Sequence, residues 1–370
     1  MPQHPPSAVI LVGPEGQTIP ERIVTRAVRG AALDLVAMLA AAGVEPVIVA
    51  GPDLDWLPEQ LSIIRDVDVV PFQFGQRLAD LIERYDLRTM LYFGAGSAPL
   101  LPPDAVAHLL HACGEGDRVV VTNNLHSSDW IALADAPSAL PVIRQADRDN
   151  SLAWMLHDSG LFDVGVLPDL GLAAGLDIDT PSDAALLAHY GPLAPHLAGA
   201  LSDPLLEAVP VGQVIDVAVR DGSRIALIGR VSPAAWTALS RATQCWIRAY
   251  SEERGMAASE RLKRGEVRSL LLPLYELSGP EGFFRSLADV ADAAIMDSRV
   301  LMAASGHYPP DAERFASDLL MCDAIRDDWV WAFTQAAASA SIPVLLGGHN
   351  VVASGLALLA QIVAGRRAAG

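Results

Sequence analysis

The chain has 370 residues, of which 51% are hydrophobic and 19% are charged, and its formal net charge at pH 7 is −18. This length is enough for two domains with full cores. Because nucleic-acid backbones and anionic membranes attract basic surfaces, we expect so acidic a chain to bind neither.

The first half of the chain alternates apolar strand patterns with helical patterns. Strands are predicted at 8–13 (AVILVG), 46–50, 67–71, 89–93 and 118–122, and helices at 23–42, 74–85 and 105–113. This alternation predicts an α/β fold in which helices cover both faces of a mainly parallel sheet, giving three layers. Ligands of such sheets bind at the carboxyl ends of the strands, here in the loops after Val12, Phe93 and Val121.

A cluster of prolines and glycines at 190–210 separates the two halves. We therefore predict a first domain over 1–195 and a second over 205–370. Strand patterns open the second half at 214–219 and 225–228, and a last strand at 343–346 precedes a terminal helix. The residues between, over 234–340, read as mostly helical, so the second domain is predicted to be a mostly helical α/β domain.

An aspartate pair, Asp177 and Asp179, stands at the end of a short strand pattern and directly before a helix. Carboxylates two residues apart on an extended segment point to the same side. They could form half of a Mg²⁺ site, because this ion takes one or two carboxylates and leaves other positions to water and phosphate. The alternative is an acidic turn before a helix capped by Thr180 or Ser182, with Pro181 in the first turn.

Four segments of the first half resemble the nucleotidyltransferases of the molybdenum-cofactor guanylyltransferase type. The opening strand at 9–13, the block at 20–43, the stretch PLLPPD at 99–104 and the distal DIDTPSD at 177–183 each match a family motif. The last is the closest match. The resemblance spans roughly residues 8–190, about half of the chain, and it implies the three-layer fold of that family.

The resemblance also implies roles for single residues. Asp179 would hold Mg²⁺, Asp177 would assist it, and Arg22 would stand in for the family's lysine, whose place Glu21 takes. The nucleotide would contact the loop after the first strand, at Val12, Gly13, Gly16 and Gln17. The small polar side chains of Asn123 and Asn124, after the fifth strand, could recognise a base or an acceptor, and the alternative there is an ordinary turn-rich loop. The family's first metal carboxylate is missing from the loop at 94–99. Asp147 is a candidate to replace it, and the alternative for 147–150 is a helix-capping cluster.

The second half has two candidate anion-binding elements. Arg261, Arg264 and Arg268 would share one face of a helix and could bind a phosphate, whereas the alternative pairs them with neighbouring glutamates. The sequence Gly347-Gly348-His349 lies between a strand and a helix, as anion-binding loops do, and His349 could carry a proton near neutral pH.

Two functions follow as expectations. The first is a Mg²⁺-dependent transferase that moves a nucleotidyl group from an NTP to a small phosphorylated or carboxylate acceptor. The alternative is a non-catalytic protein of the same fold that serves as a ligand-binding, scaffold or homodimerisation module, while the second domain binds a small anion. Three widely spaced cysteines and the absence of a targeting pattern at 1–7 favour a reduced, cytoplasmic protein.

Overall fold

The computed structural model describes residues 5–68, 71–167 and 175–369. They form two compact units. The first comprises the described residues of 5–15, 27–177 and 194–199, and the second those of 16–26, 178–193 and 200–370. The segments 16–26 and 178–193, which the sequence-based division assigns to the first domain, therefore belong to the second unit.

The described residues form eleven β-strands. They are β1 (Ser7–Leu11), β2 (Val47–Gly51), β3 (Ile64–Val67), β4 (Met90–Gly94), β5 (Val119–Thr122), β6 (Trp130–Leu133), β7 (Asp163–Val166), β8 (Arg224–Gly229), β9 (Trp246–Ser251), β10 (Ala293–Asp297) and β11 (Val344–Gly347).

The described residues also form fifteen α-helices. They are α1 (Ile19–Ala41), α2 (Phe74–Arg84), α3 (Ala105–Cys113), α4 (Ala136–Ile143), α5 (Leu152–Asp158), α6 (Pro181–Ala188), α7 (Pro195–Ala200), α8 (Pro204–Glu207), α9 (Val211–Ala218), α10 (Pro233–Ala242), α11 (Leu272–Val290), α12 (Ser298–Ser305), α13 (Asp311–Asp318), α14 (Asp328–Ala338) and α15 (Ser354–Ala369).

The first unit is built on a seven-stranded sheet of order β3-β2-β1-β4-β6-β5-β7. Only β6 is antiparallel to its neighbours. Along β1, Ala8 and Ile10 join one buried cluster, which includes α1 and α3, while Val9 joins a second cluster with α2, α4 and α5. The predicted three-layer α/β fold with a mainly parallel sheet is confirmed. Both faces of the sheet are buried, which is why its strands are nearly continuous apolar runs.

Two details of the first sheet differ from the prediction. The third strand covers Ile64–Val67 rather than 67–71, and residues 69 and 70 lie outside the described ranges. Strands β6 and β7 were not predicted. Each has only four residues, too few for an alternation to stand out from the surrounding sequence.

The second unit contains a four-stranded parallel sheet of order β11-β10-β8-β9. One face carries an aromatic cluster that includes Phe283, Phe284 and Phe333. The unit is rich in helices, as predicted, although β9 and β10 lie within the stretch that reads as mostly helical. Strand β9 is an edge strand with mostly exposed residues, so its sequence lacks a buried-strand pattern.

The strand predicted at 214–219 is wrong, because Val211–Ala218 is helix α9. Its buried residues Val211, Val214, Ile215 and Ala218 recur at i, i+3, i+4 and i+7, which places them on one helical face. The β-branched composition favoured a strand locally, and burial of this face against the rest of the unit overrode that preference.

None of the helices in the described ranges has a stretch that is both long and apolar enough to cross a bilayer.

Candidate functional site

The carboxyl ends of β1, β4 and β5 lie at the same edge of the first sheet because these strands run in the same direction. Asp129 reaches this edge from the other direction, since it directly precedes the antiparallel strand β6, whose Trp130 pairs with Phe93 of β4. The loop after β4 also starts here, and the Gly94 N–H donates to the Asp129 carbonyl at 3.2 Å. This is the edge where parallel sheets bind ligands.

Asp149 lies beside the end of β4. Its Oδ2 accepts a hydrogen bond of 3.1 Å from the hydroxyl of Tyr92, whose side chain is buried. A Cβ added to Gly94 would lie 3.9 Å from the same oxygen, so the carboxylate contacts the backbone of the strand end closely. Burial raises the pKa of Asp149 above its ordinary value, against hydrogen bonds from Asn150 and Tyr92 that lower it.

Two more carboxylates, besides that of Asp149, influence the pKa of the Tyr92 hydroxyl. Burial, and then the charges of Asp149, Asp177 and Asp129, hold the pKa of the Tyr92 phenol well above its ordinary range. The phenol therefore stays protonated and is a permanent hydrogen-bond donor at this edge. Three aspartates from distant parts of the chain thus act on a single buried hydroxyl.

Asp177 is held beside the loop after β4 by backbone pairing. It forms an isolated antiparallel bridge with Ser97, and the Ala98 N–H donates to the Leu176 carbonyl at 2.8 Å. Two acids from elsewhere in the chain, Asp149 and Asp177, thus lie beside the end of β4 and the loop that follows it. Asp149 is at the strand end, whereas the predicted candidate Asp147 is exposed two residues earlier.

Asn123, a predicted nucleotide contact, lies at the same edge but is already engaged. Its Nδ2 donates to Oδ2 of Asp129 at 2.6 Å, and Asn150 Nδ2 donates to the other oxygen at 3.2 Å. Asn124 is exposed, and its Oδ1 accepts the His126 N–H at 3.0 Å. Asn123 therefore orients Asp129, while Asn124 lies in a turn at the surface.

The predicted phosphate loop is divided between the two units. Val12 and Gly13 belong to the first unit and follow β1; the Val12 N–H donates to the Ala50 carbonyl, and Gly13 is exposed. Gly16 and Gln17 belong to the second unit.

The N–H groups of Gly16 and Gln17 have acceptors within the second unit. They donate to Thr25 Oγ1 at 3.0 Å and to Glu21 Oε2 at 3.1 Å. Arg22, the predicted substitute for the family's lysine, donates from Nε to the Gly16 carbonyl at 3.2 Å. A phosphate bound by these groups would have to replace those acceptors.

Glu21 has a structural role that its sequence context signals. Thr18 precedes α1, and its N–H and hydroxyl both donate to Glu21 Oε2 at 2.8 Å, while the Glu21 N–H lies 3.5 Å from the Thr18 hydroxyl. This is a Ser/Thr-x-x-Glu capping box. The capping box was not predicted, because Glu21 was considered only as the residue in the place of the family's lysine. Slight burial raises the pKa of Glu21, but the hydrogen bonds from Thr18 and Gln17 outweigh it and hold this pKa below its ordinary value.

Asp179, the predicted metal ligand, belongs to the second unit, whereas Asp177 belongs to the first. Asn350 Nδ2 donates to Asp179 Oδ2 at 3.2 Å. The predicted cap is confirmed: Thr180 caps α6, Pro181 begins it, and Asp183 completes a reciprocal capping box. Ser182 is not the cap, because its hydroxyl donates to the Leu346 carbonyl at 2.5 Å.

Asp183 is fully buried at the start of α6. Its Oδ2 accepts from the N–H groups of Asp179 and Thr180 and from the Thr180 hydroxyl, while Oδ1 has no partner in the described structure. Burial, and then the charge of Asp179, raise the pKa of Asp183 to about 8. The carboxyl is therefore mostly protonated at neutral pH.

We expect a pH-dependent stability from Asp183. Its folded pKa of about 8 lies above the ordinary value of 3.8, so the folded chain holds this proton more tightly than the unfolded chain. The resulting stabilisation is complete below about pH 4 and is lost as the pH rises to 8, by up to about 1.4 kcal/mol per pH unit. Asp183→Asn keeps an acceptor for the three donors but cannot titrate.

Urea unfolding of both proteins at pH 5, 6, 7 and 8 measures this effect. The wild type should lose free energy of unfolding relative to Asp183→Asn as the pH rises. A difference that stays constant over this range would show that Asp183 is ionised in the folded chain.

The predicted arginine face of the second unit does not form. Residues 254–268 contain turns rather than a helix. Arg264 pairs with Glu266 at 2.8 Å, and Arg268 donates to the carbonyls of Gly265 and Val267 at 3.0 and 2.7 Å. The alternative, pairing with neighbouring glutamates, therefore describes Arg264, whereas the Arg268 guanidinium donates to backbone carbonyls.

The loop after β11 carries the other predicted anion contacts. Gly347 and Gly348 pack closely against the start of α6, where a Cβ on each would lie 3.1 and 3.0 Å from Ser182 Cβ and Thr180 Cγ2. The segment His349–Val352 is a 3₁₀ turn, and α15 begins at Ser354. Partial burial first, and then the Arg230 charge, lower the pKa of His349 to about 4. At that pKa the imidazole is neutral at pH 7, and the role of His349 as an anion contact or proton carrier stays a prediction.

The described ranges contain no group of three or more His, Cys, Asp or Glu side chains placed to hold a metal ion. Magnesium needs fewer, since one or two carboxylates suffice when phosphate and water supply the remaining ligands. The pair Asp149 and Asp177 at this sheet edge has that donor chemistry.

No family model and no curated protein sequence matches the chain. Among solved structures, a cytidylyltransferase from Leptospira borgpetersenii is 12% identical, covering 54% of this chain and 93% of its own, with a TM-score of 0.41. The 2-C-methyl-D-erythritol 4-phosphate cytidylyltransferase from Thermus thermophilus is 15% identical, covering 53% and 98%, with a TM-score of 0.36. The guanylyltransferase type named from the sequence stays a prediction.

Proposed function

We propose that the first unit binds a magnesium–NTP complex at the carboxyl edge of its sheet and transfers the nucleotidyl group to a small phosphorylated or carboxylate acceptor. The observation that carries this proposal is the pair of Asp149 and Asp177, both of which act on the buried Tyr92 hydroxyl beside Gly94. The DIDTPSD motif, which resembles the distal motif of nucleotidyltransferases, supports it.

Each residue has a defined task in this proposal. Asp149 and Asp177 would hold the magnesium ion, which offsets negative charge on the phosphates. Tyr92 donates to Asp149 and so keeps the carboxylate turned toward the strand end. Asn123 and Asn150 orient Asp129 in the same way. Gly94 lets the backbone approach this cluster without a side chain between.

A specific observation favours the non-catalytic alternative. The N–H groups of Gly16 and Gln17 donate to side chains, Arg22 donates to Gly16, and the family's lysine is replaced by a capping glutamate. A chain without these phosphate contacts could retain nucleotide binding as a structural or dimerisation signal. Dependence on magnesium distinguishes the two functions, because only phosphoryl transfer needs a positioned cation.

Thermal unfolding of the full chain against each NTP, with magnesium or with EDTA, tests the proposal. We expect one NTP to raise the unfolding temperature in the presence of magnesium only. At a hundredfold excess over its dissociation constant a ligand adds about 2.7 kcal/mol to the free energy of unfolding. An equal rise in EDTA would favour the non-catalytic module, and no rise with any NTP would contradict nucleotide binding altogether.

A further inference from the structure

A second group of charged side chains lies at the carboxyl edge of the sheet in the second unit. The parallel strands β8, β10 and β11 are neighbours, with Ile228 paired to Met296 and Asp297 to Gly347. The residues that follow or end them are therefore brought to one edge: Arg230 after β8, Asp297 at the end of β10 and His349 after β11. In parallel sheets this is the ligand-binding edge.

Arg230 and Asp297 form the fixed part of this group. Arg230 Nε and Nη2 lie 2.5 and 3.1 Å from the two oxygens of Asp297, a bidentate contact. Asp297 has no exposed surface, whereas 14% of the Arg230 side chain remains exposed. Gly229, with a φ of 106°, allows this approach, since a Cβ there would lie 2.6 Å from the Cβ of Asp297. The guanidinium is thus held rigidly at the rim.

His349 and Arg254 lie beside this pair. Arg254 follows β9, whose Ser251 pairs with Gly229 at the end of β8, and the Glu252 N–H donates to the Gly229 carbonyl at 3.0 Å. The charges of both Arg230 and Arg254 act on the His349 ring. The Arg254 side chain is exposed, and its guanidinium has no hydrogen-bond or ion-pair partner among the described residues. By contrast, Arg261 pairs with Glu253 and Arg264 with Glu266.

The local charge balance is unusual for this chain. Among the described residues, the buried carboxylate of Asp297 pairs with Arg230 only, so the exposed Arg254 adds an unpaired positive charge to this edge in a protein whose net charge is −18. One unpaired guanidinium next to a pre-oriented guanidinium and an imidazole supplies the donors that carboxylate and phosphate groups require.

We propose that Arg230, Arg254 and His349 form a second binding site, in the second unit, for a small molecule with a phosphate or carboxylate group. Arg254 and the outer edge of Arg230 would donate to the anion, and His349 would add a neutral hydrogen bond. Asp297 would position Arg230. The proposal of this site does not rest on the nucleotide site proposed for the first unit.

Binding of inorganic phosphate and of succinate to the full chain tests the site. Each is titrated by calorimetry at pH 7 and constant ionic strength, with chloride as the reference anion. Arg254→Ala removes the unpaired guanidinium without leaving a buried charge, and we expect it to weaken binding roughly tenfold or more. Arg264→Ala is the matched control from the same segment, and it should leave the affinity unchanged.

The outcomes show whether the ligand carries a phosphate or a carboxylate group. They also distinguish this site from the nucleotide site. Binding of phosphate alone would assign a phosphorylated ligand, and binding of succinate alone a carboxylate. Asp149→Asn should not alter either affinity, which separates this site from the nucleotide site. The proposal is overturned if neither anion binds more tightly than chloride, or if Arg254→Ala and Arg264→Ala weaken binding equally.

Discussion

Replacing Asp318 with alanine is expected to lower the free energy of unfolding by about 3–5 kcal/mol. Asp318 in α13 accepts from both Nη atoms of Arg299 in α12, at 2.7 and 2.5 Å. The exposed fractions of the two side chains are only 4% for Arg299 and 0% for Asp318. The alanine variant would leave the guanidinium buried without its counter-charge, which costs far more than a lost surface pair.

Urea unfolding followed by circular dichroism measures this cost. Asp216→Ala is the control, since Asp216 pairs with Arg366 at 3.0 Å while 72% and 46% of these side chains are exposed. We expect the control to cost less than about 1 kcal/mol. The double variant Arg299→Met with Asp318→Leu should recover most of the loss, because no charge then remains buried. Equal costs for the buried and exposed aspartates would show that the Arg299 pair is solvated.

Replacing Asp149 or Asp177 with asparagine is expected to lower the affinity for the magnesium–NTP complex at least about a hundredfold. Loss of a residue that merely orients a metal ligand typically costs 10–100-fold, and these two are proposed as the ligands themselves. Asparagine keeps the size of the side chain and an acceptor for the Tyr92 hydroxyl, so the fold should be retained. Nucleotide titration at fixed magnesium, followed by unfolding temperature, measures the loss.

Two comparisons make this result specific. Asp163→Asn is the matched control: Asp163 is exposed and begins β7, at the opposite edge of the same sheet. Asp179→Ala separates the ligand pair proposed from the structure, Asp149 with Asp177, from the pair predicted by sequence, Asp177 with Asp179. Retained binding in Asp149→Asn together with lost binding in Asp179→Ala would favour the sequence-based pair.

The sequence predicted several strands and one helix cap that depend on residues close to one another in the chain. The strands β1, β2, β4 and β5 were found because a strand buried on both faces is apolar at every position. The cap of α6 was found because Thr180, Pro181 and Asp183 satisfy backbone groups only a few residues away. Helix α9 was missed because its valines favour a strand locally, and only packing selects the helical face.

The candidate site needed more than local signals. The sequence predicted ligand binding at the carboxyl edge of the sheet. It also predicted Asp177 as part of a magnesium site and His349 as an anion contact. It did not distinguish the exposed Asp147 from Asp149, which contacts Tyr92, because a shift of two residues in a loop changes nothing in the local pattern. The exposed arginines Arg254 and Arg264 likewise read alike in sequence, although only the latter has a carboxylate partner among the described residues.

By itself, the sequence determined the α/β class, the parallel core of the first unit, the acidic charge and the cap at Thr180, since each follows from composition or from contacts within a few residues. Only the tertiary structure decided which side chains meet. It brought Asp149 and Asp177 to Tyr92, and Arg230 and His349 to Asp297. It also made Asp183 a buried neutral carboxyl. These outcomes depend on burial and on neighbours distant in the chain, whose combined electrostatic effect is a property of the folded protein.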